Sequence, residues 1–343
     1  GGRRTKQVIP RRGRLLSRCW AVVFALCAGR QGTALGIFGA GNVGAAVTKF
    51  AAPFVMLALG WEAVAQVWAV GLLLIALAAF FLTRDEPQLI ERRRTGQKPV
   101  AAWMQLEPLK DLRVWRFALY YFFVFGGFVA LALWLPHYLT GAYGVGIGVA
   151  GMLAAAYSIP GSLFRVFGGW LSDRIGARKV MYLTFIISVV CAFILAYPAT
   201  SYVVDGIDGP IRFRLAMSLP AFTVVVFVLG FAMSLGKAAV YKHIPVYYPD
   251  HVGSVGGLVG MIGGLGGFIL PITFGVLNDL TGVWTSCFML LFLLVLTALV
   301  WMHFAVRRME RHRSPMLATL PEFPELAGIG PDKAAAISPT GSH

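Results

Sequence analysis

Residues 168–179 read Gly-Gly-Trp-Leu-Ser-Asp-Arg-Ile-Gly-Ala-Arg-Lys, and this segment ends in a polar turn between two long apolar runs. The first run is Val149–Leu171, and the second begins at about residue 180. A helix needs about 20 apolar residues to cross the hydrocarbon core of a bilayer. The segment therefore predicts a short loop between two transmembrane helices, with its basic side chains at the membrane surface.

Arg165 lies inside the first of these runs. It precedes the turn by about eight residues, which places it roughly 12 Å inside the membrane boundary. An arginine at that depth costs about 2.5–3.5 kcal/mol on insertion scales and normally faces a partner or a cavity. All the Asp and Glu residues fall in predicted loops, turns or tails. The predicted membrane interior thus carries cations without acids, which favours a bound anion as the counter-ion.

The composition of the whole chain is typical of a membrane protein. Of its 343 residues, 58% are hydrophobic and 13% are charged, and the mean hydropathy is +0.73. Such apolarity indicates that most of the chain faces lipid. The net charge of +15 would suggest nucleic acid in a soluble protein. Here the positive-inside bias of cytoplasmic loops explains it, and no nucleic-acid partner is predicted.

Enzyme-like patterns are missing from the sequence. It contains no P-loop, no metal-ligand cluster and no nucleophile placed beside a base. The cysteines are scattered through apolar runs, which predicts buried free thiols rather than a disulfide framework; they are Cys19, Cys27, Cys191 and Cys287. We therefore predict a protein that is not an enzyme and that uses no cofactor and no metal.

Hydropathy predicts an all-α polytopic protein with about eight transmembrane helices. The spans cover approximately residues 33–58, 63–82, 116–138, 147–171, 180–198, 215–240, 252–277 and 284–304. Basic residues concentrate between spans two and three, in the turn after Leu171 and in the tail from Arg307. The positive-inside rule then places these segments and the C-terminus in the cytoplasm, in the plasma membrane or cell inner membrane.

Both termini depart from this pattern. Gly1–Arg18 is basic, and the apolar stretch Ala21–Gly29 that follows is too short to span. A signal peptide has a similar pattern, but the next helix follows without a cleavage-like gap, so a truncated chain is the preferred interpretation. The tail Ser314–His343 lacks apolar periodicity and is predicted to be disordered.

The first and seventh predicted spans are rich in glycine. The glycines are Gly36, Gly39, Gly41 and Gly44 in the first span, and Gly257, Gly260, Gly263, Gly264, Gly266 and Gly267 in the seventh. Small residues at this spacing let helices approach closely and slide, although ordinary tight packing is the alternative. On the sliding interpretation, a larger side chain at Gly264 would wedge apart packed helices. A separation of six spans is typical of transporters built from repeated halves.

The loop after Arg165 resembles the G-x-x-x-D-R-x-G-x-R/K motif of the major facilitator superfamily, through the residues Gly169, Asp173, Arg174, Gly176 and Arg178. The glycine-rich spans look like the two signature segments of the nitrate/nitrite porter family within that superfamily. The segment Leu235–Pro245 also resembles the tenth helix of some members. The similarity runs from about Arg30 to Arg308 and implies a partial superfamily fold containing helices five to twelve.

This resemblance implies a division of the chain. Residues 1–30 would be an atypical basic segment, and residues 31–82 the last two helices of the N-terminal half. Residues 83–115 would link the halves in the cytoplasm. Residues 116–306 would form the C-terminal six-helix half, and residues 307–343 the disordered cytoplasmic tail. The first four helices, with one of two substrate-binding arginines of the family, would be missing.

The resemblance also implies four substrate-binding residues. Arg165 looks like the family's second nitrate-binding arginine, and Asn42 matches the asparagine of the first signature. Tyr121 and Phe125 resemble the aromatic pair that flanks the anion, although Phe125 also suits core packing. Counted from the predicted cytoplasmic ends, Asn42, Tyr121 and Arg165 all lie roughly 12–14 Å deep. That common depth is where such transporters place their site.

Three lysines have other expected roles. Lys49 is too deep to reach the cytoplasmic interface easily, so it either lines the anion path or reaches the outer interface. Lys237 lies at intermediate depth and is a second candidate for the path. Lys242 is close to the cytoplasmic end, where it is expected to extend its ammonium to the surface.

The resulting hypothesis is a secondary transporter that moves nitrate, nitrite or both by alternating access, as a monomer if complete. The partners would be the anion and the lipid bilayer. An inactive fragment of such a porter, a transporter of another small anion and a receptor-like regulatory protein remain alternatives. The sequence does not decide whether nitrate or nitrite is the preferred substrate. The lack of buried acids favours anion exchange, while Lys49 keeps proton symport open.

Overall fold

The computed structural model describes Thr33, Gly36, Ile37, Gly39 and residues 43–82, 107–207, 209–248 and 252–311. Asn42 and Gly41 lie outside this set, as does the side chain of Lys49. Within it the chain forms eight long helices and one hairpin. They are α1 (Val43–Leu59), α2 (Trp61–Leu82), α3 (Leu112–Tyr143), α4 (Ile147–Ile175), α5 (Ala177–Ala196), β1 (Thr200–Gly206), β2 (Gly209–Leu215), α6 (Leu219–Tyr247), α7 (Val252–Thr281) and α8 (Ser286–Arg311).

The predicted polytopic helical fold is confirmed. Helices α2 to α8 are each long and apolar enough to cross a membrane, and these are seven spans within the described residues. Helix α1 belongs to the remaining predicted span, whose first part is only partly described. Helix α2 shows why a bilayer is needed: Leu73, Ile75 and Phe81 are all more than half exposed. Apolar surface of this extent requires lipid or protein against it.

Local sequence explains where the helices begin and end. Asp111 caps α3, since its side chain accepts a 2.9 Å hydrogen bond from the backbone N–H of Arg113. Between α4 and α5 the chain reverses at Gly176, whose φ of +89° suits a residue without a Cβ. That single residue allows the two helices to follow each other almost directly. Inside α3, residues Phe122–Gly127 form a π-helical turn.

The helices pack around a core that lies between α3, α4, α5, α6 and α8. Phe123, Phe185 and Phe288 are fully buried there. Glycines allow the closest crossings: a Cβ on Gly168 of α4 would lie 2.5 Å from the Cα of Leu235 on α6. Close backbone approach at small residues is how transmembrane helices gain packing energy without a hydrophobic driving force. Cys191 and Cys287 are free and buried, as predicted, while Cys19 and Cys27 lie outside the described residues.

The hairpin is the departure from the predicted all-α fold. The predicted spans leave residues 199–214 between two helices, and there β1 and β2 pair antiparallel from Thr200↔Leu215 to Gly206↔Gly209. Tyr202 and Phe213 stack across the strands with ring centroids 5.3 Å apart. Cross-strand aromatic pairs of this kind stabilise short ribbons. Hydropathy averaging missed the hairpin because its alternation extends over only a few residues.

Candidate substrate site

Arg165 lies at the middle of α4 and is only 5% exposed. No described residue accepts a hydrogen bond from its Nε atom. The nearest acid along α4 is Asp173, two helical turns away, or roughly 12 Å. A buried guanidinium donor without a partner is costly in a native protein. The Nε atom of Arg165 is therefore a candidate hydrogen-bond donor to a ligand.

A cluster of three aromatic residues lies on one side of this arginine, with two of them beside its guanidinium. Tyr121 and Phe125 stack on α3, with ring centroids 5.0 Å apart and planes 9° from parallel. Tyr241 of α6 packs edge-on against Tyr121 at 4.8 Å, and the Arg165 Cζ atom lies 5.9 Å from the centre of its ring. The Tyr121 hydroxyl lies beside both the guanidinium and the Tyr241 hydroxyl. The structure thus brings together three of the four predicted site residues, and Asn42 lies outside the described part of the chain.

The π-helical turn helps to place the aromatic pair. Tyr121 is the last residue before this turn, and Phe125 lies within it. A π-turn inserts one extra residue per turn and so changes which residues share a face; such turns occur frequently at functional sites. The two glycines at its end allow close contact with α7, where a Cβ on Gly126 would lie 2.8 Å from the Cα of Gly266.

Glycines of both signature segments contact the site directly. A Cβ on Gly39 would overlap the Arg165 side chain, and one on Gly36 would lie 2.7 Å from the Arg165 carbonyl oxygen. On α7, a Cβ on Gly263 would overlap the Tyr121 ring, and one on Gly260 would lie 2.7 Å from the Tyr241 hydroxyl oxygen. Side chains at these positions would displace the candidate ligand-binding groups.

Other glycines of the two segments have no such contact. A Cβ on Gly44, Gly257 or Gly264 would meet no heavy atom of the described chain within 4 Å. A larger side chain at Gly264 would therefore meet no neighbour in the described bundle, and the expected block of transport by such a side chain stays a prediction. The reason is angular: Gly264 follows Gly263 by one residue, about 100° around the helix, and it faces away from α3. Gly266 and Gly267 face α3 and pack near Phe122 and Val129.

Lys237 is buried one helical turn from this cluster. It is fully buried, its Nζ atom donates to the Gly161 carbonyl oxygen at 3.3 Å, and it lies 3.0 Å from the centre of the Phe128 ring. Gly161 precedes Arg165 by four residues, about 6 Å along the helix axis. The second cation therefore lies on the same side of α4 as Arg165.

The loop motif at the end of α4 forms a separate polar cluster. Asp173 pairs with the Lys242 ammonium at 2.8 Å, and it accepts hydrogen bonds from the backbone N–H and the hydroxyl of Thr33 at 2.9 and 2.8 Å. Lys242 also donates to the Ser172 carbonyl oxygen at 2.7 Å. Lys242 is thus buried and paired, so the expectation that it extends to the surface is wrong.

The remaining residues of the motif have ordinary structural roles. Arg174 lies over the Trp170 ring, with its Cζ atom 4.3 Å from the ring centre. Gly169 and Arg178 are buried, and Gly176 makes the reversal between α4 and α5.

Tyr241 is the site residue that the sequence analysis missed. It lies in the Leu235–Pro245 segment, which was noted only for its resemblance to a tenth helix. Tyr241 is four residues after Lys237, so the two share one face of α6. Because Lys237 was already a candidate for the anion path, this four-residue spacing was the signal in the sequence that could have identified Tyr241. The Tyr241 hydroxyl donates to the Gly256 carbonyl oxygen at 3.3 Å, which links it to the second signature segment.

Comparison with known proteins agrees with this architecture. The family model described as "Major Facilitator Superfamily" matches residues 19–207 and 138–331 of the chain. The chain is 42% identical over 303 residues to "Probable nitrate/nitrite antiporter NarK1" of Thermus thermophilus, covering 84% of this chain and 67% of that protein. It is 29% identical over 287 residues to the "Nitrite extrusion protein" of Bacillus subtilis, covering 82% and 66%.

A third relative extends the comparison to another genus. The "Probable nitrate transporter NarT" of Staphylococcus carnosus is 31% identical over 274 residues, which cover 80% of this chain and 64% of that protein. The chain spans about two thirds of the length of these relatives.

Proposed function

Since the chain belongs to the nitrate/nitrite porter family of the major facilitator superfamily, we propose that it acts in secondary transport of nitrate, nitrite or both across the plasma membrane. The observation that carries this proposal is Arg165, buried on a membrane-spanning helix, with no partner for its Nε atom among the described residues and with Tyr121 and Tyr241 beside its guanidinium. An anion in this position supplies the missing counter-charge.

The chemistry of the site fits a small planar oxyanion. Nitrate and nitrite carry one negative charge spread over oxygens that lie in a plane. The Arg165 guanidinium offers a planar fork of donors that matches two such oxygens. The Tyr121 hydroxyl is placed to donate to the same ligand, and the stacked Tyr121 and Phe125 rings provide a flat apolar wall. Asn42 remains the proposed donor to a further oxygen.

Lys237 would strengthen the selection for anions. Its ammonium lies about one helical turn from Arg165 in a site shielded from water, where a positive charge is felt more strongly than in solution. Its contacts with Gly161 and Phe128 hold it in the bundle beside the proposed path.

Alternating access would use the two glycine segments. Gly39, Gly260 and Gly263 allow their helices to lie directly on Arg165, Tyr241 and Tyr121, so a small rotation of either helix would open or close the space around the ligand. The Asp173–Lys242–Thr33 cluster would hold the bundle closed at its own end and would separate when that end opens. The basic residues at this end support a cytoplasmic location for it and for the C-terminus.

The proposal is tested by nitrate uptake into proteoliposomes, measured with ¹⁵N-labelled nitrate for the chain alone and for a version extended to the full length of its relatives, and repeated with nitrite and formate. Arg165→Lys keeps the charge but loses the planar fork, so uptake is expected to fall on the order of tenfold or more. The matched control is Arg307→Lys, an exposed arginine near the end of α8 and outside the site, which should leave uptake unchanged. Wild-type uptake in the Arg165→Lys protein would remove Arg165 from the site. Preference for formate would assign another small anion as the substrate.

A further inference from the structure

A second basic site lies at the membrane boundary, far from Arg165 along the helices. A cavity of about 580 Å³ opens between the first turns of α3 and the last turns of α8. Three arginines line it, namely Arg113 and Arg116 from α3 and Arg308 from α8. This is the end of the bundle that the basic loops predict to be cytoplasmic.

The charge of the cavity is positive and its single described carboxylate is already engaged. Asp111 accepts hydrogen bonds from the Arg113 backbone N–H and from the Tyr248 hydroxyl, at 2.9 and 2.5 Å, through different oxygens. The cavity therefore contains three guanidinium groups and one carboxylate, and each oxygen of that carboxylate already accepts a hydrogen bond. Guanidinium groups in such an arrangement bind phosphate oxygens through paired N–H donors.

The wall of the cavity on the α8 side is apolar. Phe304 is 68% exposed, and Trp301 lines the cavity one helical turn before it. Leu112, on the opposite wall, is 66% exposed. A free phosphate ion would contact only the arginines, whereas a phospholipid would contact both the arginines and the apolar wall. Its headgroup phosphate would lie on the arginines, and its acyl chain would run along Phe304 toward the bilayer centre. Trp301, one helical turn closer to the bilayer centre than Phe304, would extend this acyl-chain contact.

We propose that this cavity is a binding site for an anionic phospholipid, with Arg113, Arg116 and Arg308 contacting the phosphodiester and Trp301 and Phe304 contacting an acyl chain. Basic pockets between transmembrane helices on the cytoplasmic side suit such headgroups. The proposal is independent of what the chain transports, because neither Arg165 nor the aromatic residues of its site line this cavity.

The test is native mass spectrometry of the full chain in detergent, with dioleoyl phosphatidylglycerol or dioleoyl phosphatidylcholine added at equal concentration. The triple variant Arg113→Gln, Arg116→Gln, Arg308→Gln removes the basic part of the cavity. The matched control Lys110→Gln, Lys179→Gln, Arg307→Gln removes the same charge from exposed positions outside the cavity. Size-exclusion chromatography and circular dichroism verify that each protein is folded.

Wild type and the control should retain phosphatidylglycerol in preference to phosphatidylcholine, and the cavity variant should retain it about tenfold less. Equal loss in the control would mean that overall charge, not the cavity, attracts the lipid, and equal retention of both lipids would also overturn the proposal.

A third arm adds inorganic phosphate at millimolar concentration. Displacement of phosphatidylglycerol by phosphate alone would identify a free-anion site instead of a lipid site. Undiminished retention in the cavity variant would place the lipid elsewhere.

Discussion

Arg165 and Lys242 are both buried cations in the same bundle, but their surroundings differ. Lys242 is paired with Asp173 at 2.8 Å and donates to a backbone carbonyl. Arg165 is 5% exposed, and its Nε has no hydrogen-bond partner among the described residues. Lys242 links α4 and α6 through its ion pair with Asp173, whereas we propose that the Nε atom of Arg165 donates to a bound anion. Burial alone therefore does not distinguish a structural cation from one that binds a ligand. The distinction comes from whether an acidic side chain of the protein is paired with the cation.

The largest expected effect comes from breaking the structural pair. Asp173→Asn leaves the buried Lys242 ammonium without its counter-charge, which should destabilise the protein by about 3 kcal/mol. Nitrate affinity of the folded fraction should change little, because Arg165 is two turns away. Thermal unfolding in detergent measures the loss.

Two further variants sharpen this result. Asp279→Asn removes an exposed acid and should not alter the unfolding temperature. The double variant Asp173→Asn, Lys242→Met removes both charges and should recover much of the lost stability. Equal destabilisation by the single and double variants would show that the ion pair is not the cause.

Neighbouring glycines provide the second comparison. Gly263→Ala places a Cβ against the Tyr121 ring, while Gly264→Ala places one in open space. Overpacking of this kind typically costs about 1–3 kcal/mol, and it should also weaken nitrate binding by displacing Tyr121. Isothermal titration with nitrate and thermal unfolding of the two alanine variants measure both effects. Identical behaviour of the two variants would contradict the packing of α7 on α3.

Some features of this arrangement could be predicted from the sequence, and others could not. Hydropathy predicted the helices well because lipid imposes a minimum length of apolar sequence. Arg165 was identifiable because charge is rare at that depth. Tyr241 was not, since aromatic residues are common in apolar helices and only the crossing of α6 with α3 and α4 brings it to Tyr121. The partner of Lys242 was missed for the same reason, because Asp173 lies on a different helix.

The hairpin and Gly264 show the limits of one-dimensional patterns. Apolar and polar residues alternate only at Ile211–Leu215, a pattern too short to stand out in a membrane-length window, so residues 199–214 were predicted only to connect two spans. Glycine spacing predicts that a helix face is small, but it does not predict which glycines meet a neighbour. That depends on helix rotation, which places Gly263 against Tyr121 and turns Gly264 outward.

The smallest expected effect is on the pH dependence of thermal stability, through Asp111 just before α3. Burial alone would raise the pKa of Asp111, but hydrogen bonds from Tyr248 and the Arg113 backbone, with the charges of Arg113 and Arg116, hold it below its ordinary value of 3.8. A lowered pKa contributes stability above the ordinary value, and that contribution is lost as the pH falls through the folded value. Between pH 5 and about pH 3, wild type should therefore lose slightly more thermal stability than Asp111→Asn. A parallel decline of the two proteins would contradict the assignment.

Arg165→Met tests most directly the proposal that Arg165, whose Nε has no hydrogen-bond partner among the described residues, binds an anion. Methionine keeps much of the volume and removes the charge. Without nitrate, the variant should be as stable as wild type or more stable, because a buried charge has been replaced by an apolar group. Nitrate at about 100 times its dissociation constant should stabilise wild type by about 2.7 kcal/mol and leave the variant unchanged. A variant that unfolds more readily than wild type without nitrate, yet is still stabilised by it, would show that Arg165 is a structural residue and that the anion binds elsewhere.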